Sequence, residues 1–342
     1  MVTDSTRLVQ LIHGQHKRRV ALVQEPLLVL LENTTSVYQL ALDAVHAKKN
    51  IADLIHDRLT DKTLHYSDVY AGTSDWKLLP PFDHPDNPFA CIVSGTGLTH
   101  KSSALNRQMM HQSDQAAPTD SIRMYQWGVE GGSPEKGKIG VQPEWFYKGN
   151  GSMLRAHGQP LEVPSFANDG GEEPEVAGLY IIDEKGHPWR IGLCTGNEFS
   201  DHVMEKKNYL YLAPSKLRNC AIGPELVVNA TFDKIDGTVS IIRGEEPLWS
   251  KPIVSGESNM AHGLENLEHH HFKYPVHRIP LQAHVHFFGA DAFSFGEQVQ
   301  LQPGDIMKIE WNGMGRALQN PLQIVQEEQE LMRVRKFTAV KD

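Results

Sequence analysis

Two glutamates separated by one residue, Glu173 and Glu175, open the apolar run Gly171-Glu-Glu-Pro-Glu-Val-Ala-Gly-Leu-Tyr-Ile-Ile182. The run reads as a β-strand, and strand side chains alternate faces, so both carboxylates point the same way. A third acid, Glu198, ends the next apolar segment in Thr195-Gly-Asn-Glu-Phe-Ser-Asp201. Carboxylates converging from two strands make an oxygen-rich pocket, which suits a hard cation such as Mg²⁺ better than zinc. Such a cation would act as a Lewis acid. On a solvated strand end the same acids would do no chemistry, so the rest of the chain has to decide.

Further groups join them. Gly95-Thr-Gly-Leu-Thr-His100 follows a buried strand, and its glycines let the backbone approach a ligand closely. The third glycine of a dinucleotide fingerprint is missing, and no β-α-β repeat follows, which excludes that reading. His100 is placed to act as a general base or to orient water, or simply as a polar residue near a helix cap. Lys216 precedes a buried segment, and a lysine near metal-bound carboxylates could serve as a base or hold an anion. Trp145-Phe-Tyr-Lys148 joins aromatics to a lysine that could meet a carboxylate or lie on a solvated edge. Seven histidines lie between His262 and His286. His284 and His286 share one strand face, as two metal ligands can. With no Cys partner and no His-Glu-x-x-His, a loop tract followed by an alternating strand is the preferred reading.

The elements that must position these groups form an α+β, strand-rich chain. Residues 1–85 read as a small N-terminal α/β module. Its strands lie at Arg7, Arg19 and Pro26–Leu31, followed by a helix capped by Thr34 or Thr35 and a second helix from Ile51 to Arg58. Four prolines between Leu78 and Pro88 mark the boundary, and residues 86–342 form the second domain. There, helices are expected over Ser102–His111 and Asp120–Trp127, and a hairpin at Asp183-Glu-Lys-Gly186.

The 342 residues are 40% hydrophobic and 22% charged, with a net charge of -9. That balance argues against a nucleic-acid surface. The longest apolar stretch, Pro26–Leu31, is too short to span a bilayer. Cys91, Cys194 and Cys220 give no disulfide framework and read as buried thiols in a reducing compartment. With a polar N-terminus that lacks a signal-peptide layout, the chain reads as cytoplasmic, with small-molecule partners.

In order, these pieces resemble the fumarylacetoacetate hydrolase superfamily from about Ala90 to Asn320. The matching elements are Gly95–His100, Pro143-Glu-Trp-Phe-Tyr-Lys148, Glu173-Pro-Glu175, Asn197-Glu198, Lys216 ahead of Gly223-Pro224, Leu301-Gln-Pro-Gly-Asp305 and Gly313-Met-Gly315. Arg7-Leu-Val-Gln, Ser36-Val-Tyr-Gln-Leu-Ala, Leu78-Leu-Pro-Pro and Ser94–His100 look more narrowly like its GguC-like sugar-acid branch. The resemblance implies a mixed β-roll/β-sandwich catalytic domain, a homodimer, and Mg²⁺ (or Mn²⁺) held by Glu173, Glu175 and Glu198. It implies a 2-keto acid substrate contacted by Gly97, Thr99, Lys148, Asn197 and Ser200. Lys216 becomes the base, with a lowered pKa, and His100 the candidate acid. The implied reaction is dehydration of a 2-keto-3-deoxy-pentonate of the L-arabinonate type to 2-ketoglutarate semialdehyde. C–C hydrolysis of a 2,4-diketo acid is the main rival; decarboxylation and a non-catalytic sugar-acid sensor also stay open. Three departures stand out. Glu198 replaces the usual Asp, Pro174 sits between two ligands and so should start or edge a strand, and the Asn-Tyr that precedes the family histidine is missing.

Overall fold

The computed structural model describes residues 6–14, 17–111 and 119–337. The N-terminal part forms β1 (Arg7–His13), β2 (Lys17–Gln24), β3 (Leu27–Leu31), α1 (Val37–Ala47), α2 (Ile51–Asp57), β4 (Leu59–His65), α3 (Tyr66–Tyr70) and β5 (Trp76–Leu78). It continues with β6 (Cys91–Gly95), α4 (Lys101–His111), α5 (Asp120–Gly131), β7 (Phe146–Asn150), β8 (Leu154–Arg155) and β9 (Leu161–Val163). The central hairpin is β10 (Pro174–Ile182) and β11 (Pro188–Asn197), followed by α6 (His202–Lys207), α7 (Leu212–Lys216) and β12 (Cys220–Val228). The remainder is β13 (Ile235–Arg243), β14 (Glu246–Ser255), α8 (Leu264–Phe272), β15 (Ala283–Phe287), β16 (Ile306–Trp311) and β17 (Leu318–Ile324).

Two open sheets carry the fold. The larger runs β4-β3-β2-β1-β12-β11-β10-β15-β6-β7, with β5 on β1 and β8 on β12. The N-terminal strands join it through the antiparallel pairing of β1 with β12. The smaller sheet runs β14-β13-β16-β17-β9. β10 and β12 are buried along their whole length, as expected of strands covered on both faces. One apolar cluster joins Leu179, Ile181, Val285 and Phe287 to α1 through Leu40 and Ala41. A second joins Tyr180, Leu193 and Phe288 to Ile309 and Trp311 of the smaller sheet.

Local expectations mostly hold, with three corrections. The cap of α1 is Ser36, whose Oγ accepts the Gln39 N–H at 3.1 Å, while Thr34 turns its hydroxyl to the Glu32 carbonyl. The helix expected to end at Trp127 continues to Gly131. The tract His269–His271 is the last turn of α8, not a loop, because Leu264, Leu267, His271 and Phe272 bury one helical face. No helix among the described residues is long and apolar enough to cross a membrane.

Candidate metal centre

Pro174 is the first residue of β10, where its missing N–H costs no ladder bond. The ladder is extended one step beyond it: Glu198 N–H donates to the Glu173 carbonyl at 2.9 Å. Asn197 Oδ1 accepts the Glu173 N–H at 3.3 Å and the Phe199 N–H at 3.2 Å, holding the two acid-bearing ends together. Strand alternation then separates neighbours. Glu172 turns away to accept the Ser294 N–H (2.6 Å) and hydroxyl (2.9 Å), while Glu173 and Glu175 face Glu198. One carboxylate oxygen from each of Glu173, Glu175 and Glu198 lies within 4.8 Å of the others, and all three residues are buried.

Buried cations surround this cluster. Lys216 Nζ lies 2.6 Å from Glu173 Oε1, 2.7 Å from Glu198 Oε2 and 3.1 Å from Ser200 Oγ. Lys148 Nζ lies 2.6 Å from Glu198 Oε1 and donates to the carbonyls of Phe199 and Lys216 at 2.5 and 3.0 Å. His202 Nε2 stands 3.1 Å from Glu173 Oε1, its ring stacked against Phe293 and Phe295. Glu175 instead accepts the Gly289 N–H at 2.6 Å.

These surroundings drive the acids apart. Burial alone would raise Glu173, but Lys216 and His202 hold it well below the usual carboxylate range. Burial, reinforced by Glu198 and Glu173, pushes Glu175 well above that range. Burial raises Glu198 to about 7 against the pull of Lys148 and Lys216. A carboxyl that retains a proton among other acids is the expected consequence of three anions without enough compensating charge. An oxygen-only set of this kind fits a hard divalent cation.

The structure corrects the expectation for Lys216. Burial would lower its pKa, but Glu173 and Glu198 prevail and raise it. His100 is not among the residues lining the cavity at the acids. Its Nδ1 meets Thr99 Oγ1 at 3.0 Å, and burial lowers it to about 4 against the pull of Asp291.

Of the expected substrate contacts, Gly97 lines the cavity. Thr99 instead bonds the Phe288 carbonyl, and Lys148, Asn197 and Ser200 stand behind the acids as their partners. Residues not expected from the sequence complete the cavity: Leu98, Ser103, His202, Glu205 and Phe293. His202 and Glu205 come from α6, which Asp201 caps by accepting the Met204 N–H at 2.8 Å. The capping aspartate before a polar hexamer was the available signal.

The fold and the acid cluster together define a strand-rich α+β protein with a candidate metal centre. The chain shares this fold with 2-keto-3-deoxy-D-arabinonate dehydratase, whose apo form superposes with a TM-score of 0.68 at 17% identity, covering 94% of this chain and 100% of that one. The same enzyme complexed with magnesium and 2,5-dioxopentanoate gives 0.68 at 18% identity over the same coverage. A 5-carboxymethyl-2-hydroxymuconate delta-isomerase from Mycobacterium smegmatis gives 0.56 at 15% identity, covering 93% and 100%. In sequence, a 2-dehydro-3-deoxy-D-arabinonate dehydratase of Saccharolobus solfataricus is 31% identical over 114 residues. That match spans 32% of this chain and 37% of the relative. No family model matches the chain.

Proposed function

We propose that this chain is a Mg²⁺-dependent dehydratase that converts a 2-keto-3-deoxy-pentonate into 2-ketoglutarate semialdehyde (2,5-dioxopentanoate). The observation that carries the reading is the buried triad Glu173, Glu175 and Glu198 beside Lys216 in a lined cavity. The dehydratase structures of the same fold support it, one of them holding magnesium and that product. Glu173, Glu175 and Glu198 would hold the cation, with Mn²⁺ an acceptable substitute. When bound there, the cation neutralises the acids that keep Lys216 charged and stabilises negative charge developing at the C2 oxygen.

Lys216 is then the group that takes the C3 proton. The C3–H electrons move toward the C2 carbonyl and then expel the C4 hydroxyl, which takes the proton from the Lys216 ammonium and leaves as water, and tautomerisation gives the aldehyde. No oxidant is consumed. Ser200 and Glu198 orient the Lys216 ammonium, and Phe146 covers it, with Nζ 4.8 Å from the ring centroid.

The finer assignments belong to the same proposal. The substrate is of the L-arabinonate type, the enzyme is cytoplasmic, and it acts as a homodimer. The three free, buried thiols suit a reducing compartment. Exposed Phe89 and Leu210 suit self-association.

The test is an NMR time course with 2-keto-3-deoxy-L-arabinonate, with Mg²⁺ and then with EDTA. Metal-dependent appearance of the semialdehyde is expected. Turnover of the D-epimer alone would reverse the stereochemical assignment. Pyruvate release from a 2,4-diketo acid with no dehydration would replace the dehydratase by the hydrolase.

A further inference from the structure

A cavity of about 780 Å³ lies where α1 and the start of α2 face the tip of the β10–β11 hairpin. That size falls within the range of small-molecule sites. Its floor is apolar: Ala41, Ala44, Ile181 and Ile191 are buried in the core, and Val45 and Ile51 pack against them. Trp189 forms part of the wall and is 48% exposed. Its Nε1 donates to Asp183 Oδ2 at 3.0 Å, which fixes the orientation of the indole.

The charges around the rim do not cancel. Asp183 is already engaged, since Oδ1 accepts the N–H groups of Lys185 and His187 while Oδ2 accepts the indole. Glu184 lies 3.5 Å from His46, which links the hairpin to α1. Lys49 pairs with Asp57, and Arg190 with Glu268. Lys48, at the C-terminal cap of α1, and Lys185, in the hairpin turn, line the cavity and pair with no acid among the described residues. Apolar floor facing water is unfavourable, and two unmatched cations repel. An anion with an apolar body relieves both, and a half-exposed indole favours a flat aromatic body that can stack on it.

We infer that this cavity is a second ligand site, which takes a flat aromatic monoacid with its ring on Trp189 and its acid group between Lys48 and Lys185. Glu173, Glu175 and Glu198 lie at the other end of the same hairpin, roughly 25 Å away by strand rise. The site is therefore separate from the acid cluster and does not depend on the proposed reaction.

The test is calorimetric binding to the full chain of 2-naphthoate, the uncharged 2-naphthylmethanol and the saturated decahydro-2-naphthoate. EDTA is present throughout, so that no cation at the acid cluster captures a carboxylate. The wild-type protein should bind 2-naphthoate at one site, roughly tenfold more tightly than the alcohol, as two nearby cations supply. It should prefer 2-naphthoate to the saturated acid roughly fivefold, as an aromatic stack supplies. The double variant Lys48→Glu, Lys185→Glu should lose the preference for the acid and leave binding of the alcohol within about twofold, a split that loss of structure would not give. Trp189→Leu should erase the preference for the aromatic acid. Absence of saturable binding, equal affinity for acid and alcohol, or an unchanged affinity for the acid in the double variant overturns the site. An aromatic preference that survives Trp189→Leu overturns the placement of the ring.

Discussion

Lys148 and Glu198 form an ion pair, 2.6 Å between Nζ and Oε1, in which neither side chain has any solvent exposure. Lys148 also donates to the carbonyls of Phe199 and Lys216, so it braces both segments that flank Glu198. Removing one partner of a buried pair strands the other charge, which typically costs about 3–5 kcal/mol. Lys148→Met should therefore lower unfolding free energy by that order, measured by urea denaturation without added metal. A loss below about 1 kcal/mol would show that Glu198 is protonated or rescued by Lys216.

The buried histidines set the acid limb of stability. Burial holds His284 and His286 at about 3, holds His100, His157 and His262 at about 4, and lowers His271 well below its ordinary value. These shifts are downward, so the unfolded chain binds protons below about 6.5 that the native state refuses. Their stabilisation is complete above pH 6.5 and lost as pH falls toward 3–4. Asp169, Glu172, Glu175, Glu198, Glu225 and Glu268 act in the opposite sense, because their folded values are raised, while the lowered carboxyls Glu173, Asp183 and Asp201 add to the histidines. Tm should fall from pH 6.5 to 4.5, each proton taken up contributing about 1.4 kcal/mol per pH unit. His284→Asn should make that slope shallower; a Tm that rose on acidification would contradict the argument.

The acids were legible because their chemistry is local. Glu173 and Glu175 lie two apart at a strand mouth, and Glu198 ends the strand paired to theirs, so alternation and one hairpin bring them together. The orientation of His100 was not legible. The turn after β6 commits Thr99 to the Phe288 carbonyl, and that contact depends on the parallel pairing of β15 with β6, nearly 200 residues away. His202 and Glu205 were missed because a helix of six residues has too few turns to show a period. The histidine repeat hid α8 for a related reason. His271 is buried against Trp145, Ser94 and His284, surroundings that look polar in the sequence.

Cation binding should be coupled to proton release. Glu175 is raised well above its ordinary value and Glu198 to about 7, so near neutral pH the triad retains protons that a divalent cation must displace. Mg²⁺ affinity should weaken as pH falls from 8 to 6. Calorimetry in buffers of different ionisation enthalpy should show proton release at pH 7. At a concentration 100 times its dissociation constant, Mg²⁺ should stabilise the protein by about 2.7 kcal/mol, reversed by EDTA. Glu198→Gln should abolish the Glu198 share of the proton release, whereas a pH-independent affinity would place the cation elsewhere.

Gly289 gives the most local test of how the backbone holds the triad. Its N–H is donated to Glu175 Oε2 at 2.6 Å, and its φ of +104° is one that side-chain-bearing residues rarely adopt. A Cβ there would also run into Thr99 Oγ1, with the Thr96 carbonyl at 3.0 Å. Gly289→Ala should cost about 1–3 kcal/mol of backbone strain. Relaxing it requires the 288–290 backbone to move, which draws the N–H away from Glu175. That lost donor leaves Glu175 with even less support for its charge, so Mg²⁺ affinity should fall together with stability. Gly186→Ala is the matched control, since Gly186 also has a positive φ (+82°) but lies in the β10–β11 turn, away from the acids. It should lower Tm without changing Mg²⁺ affinity. Equal losses of affinity in the two variants would mean that Gly289 acts through global stability rather than through its bond to Glu175.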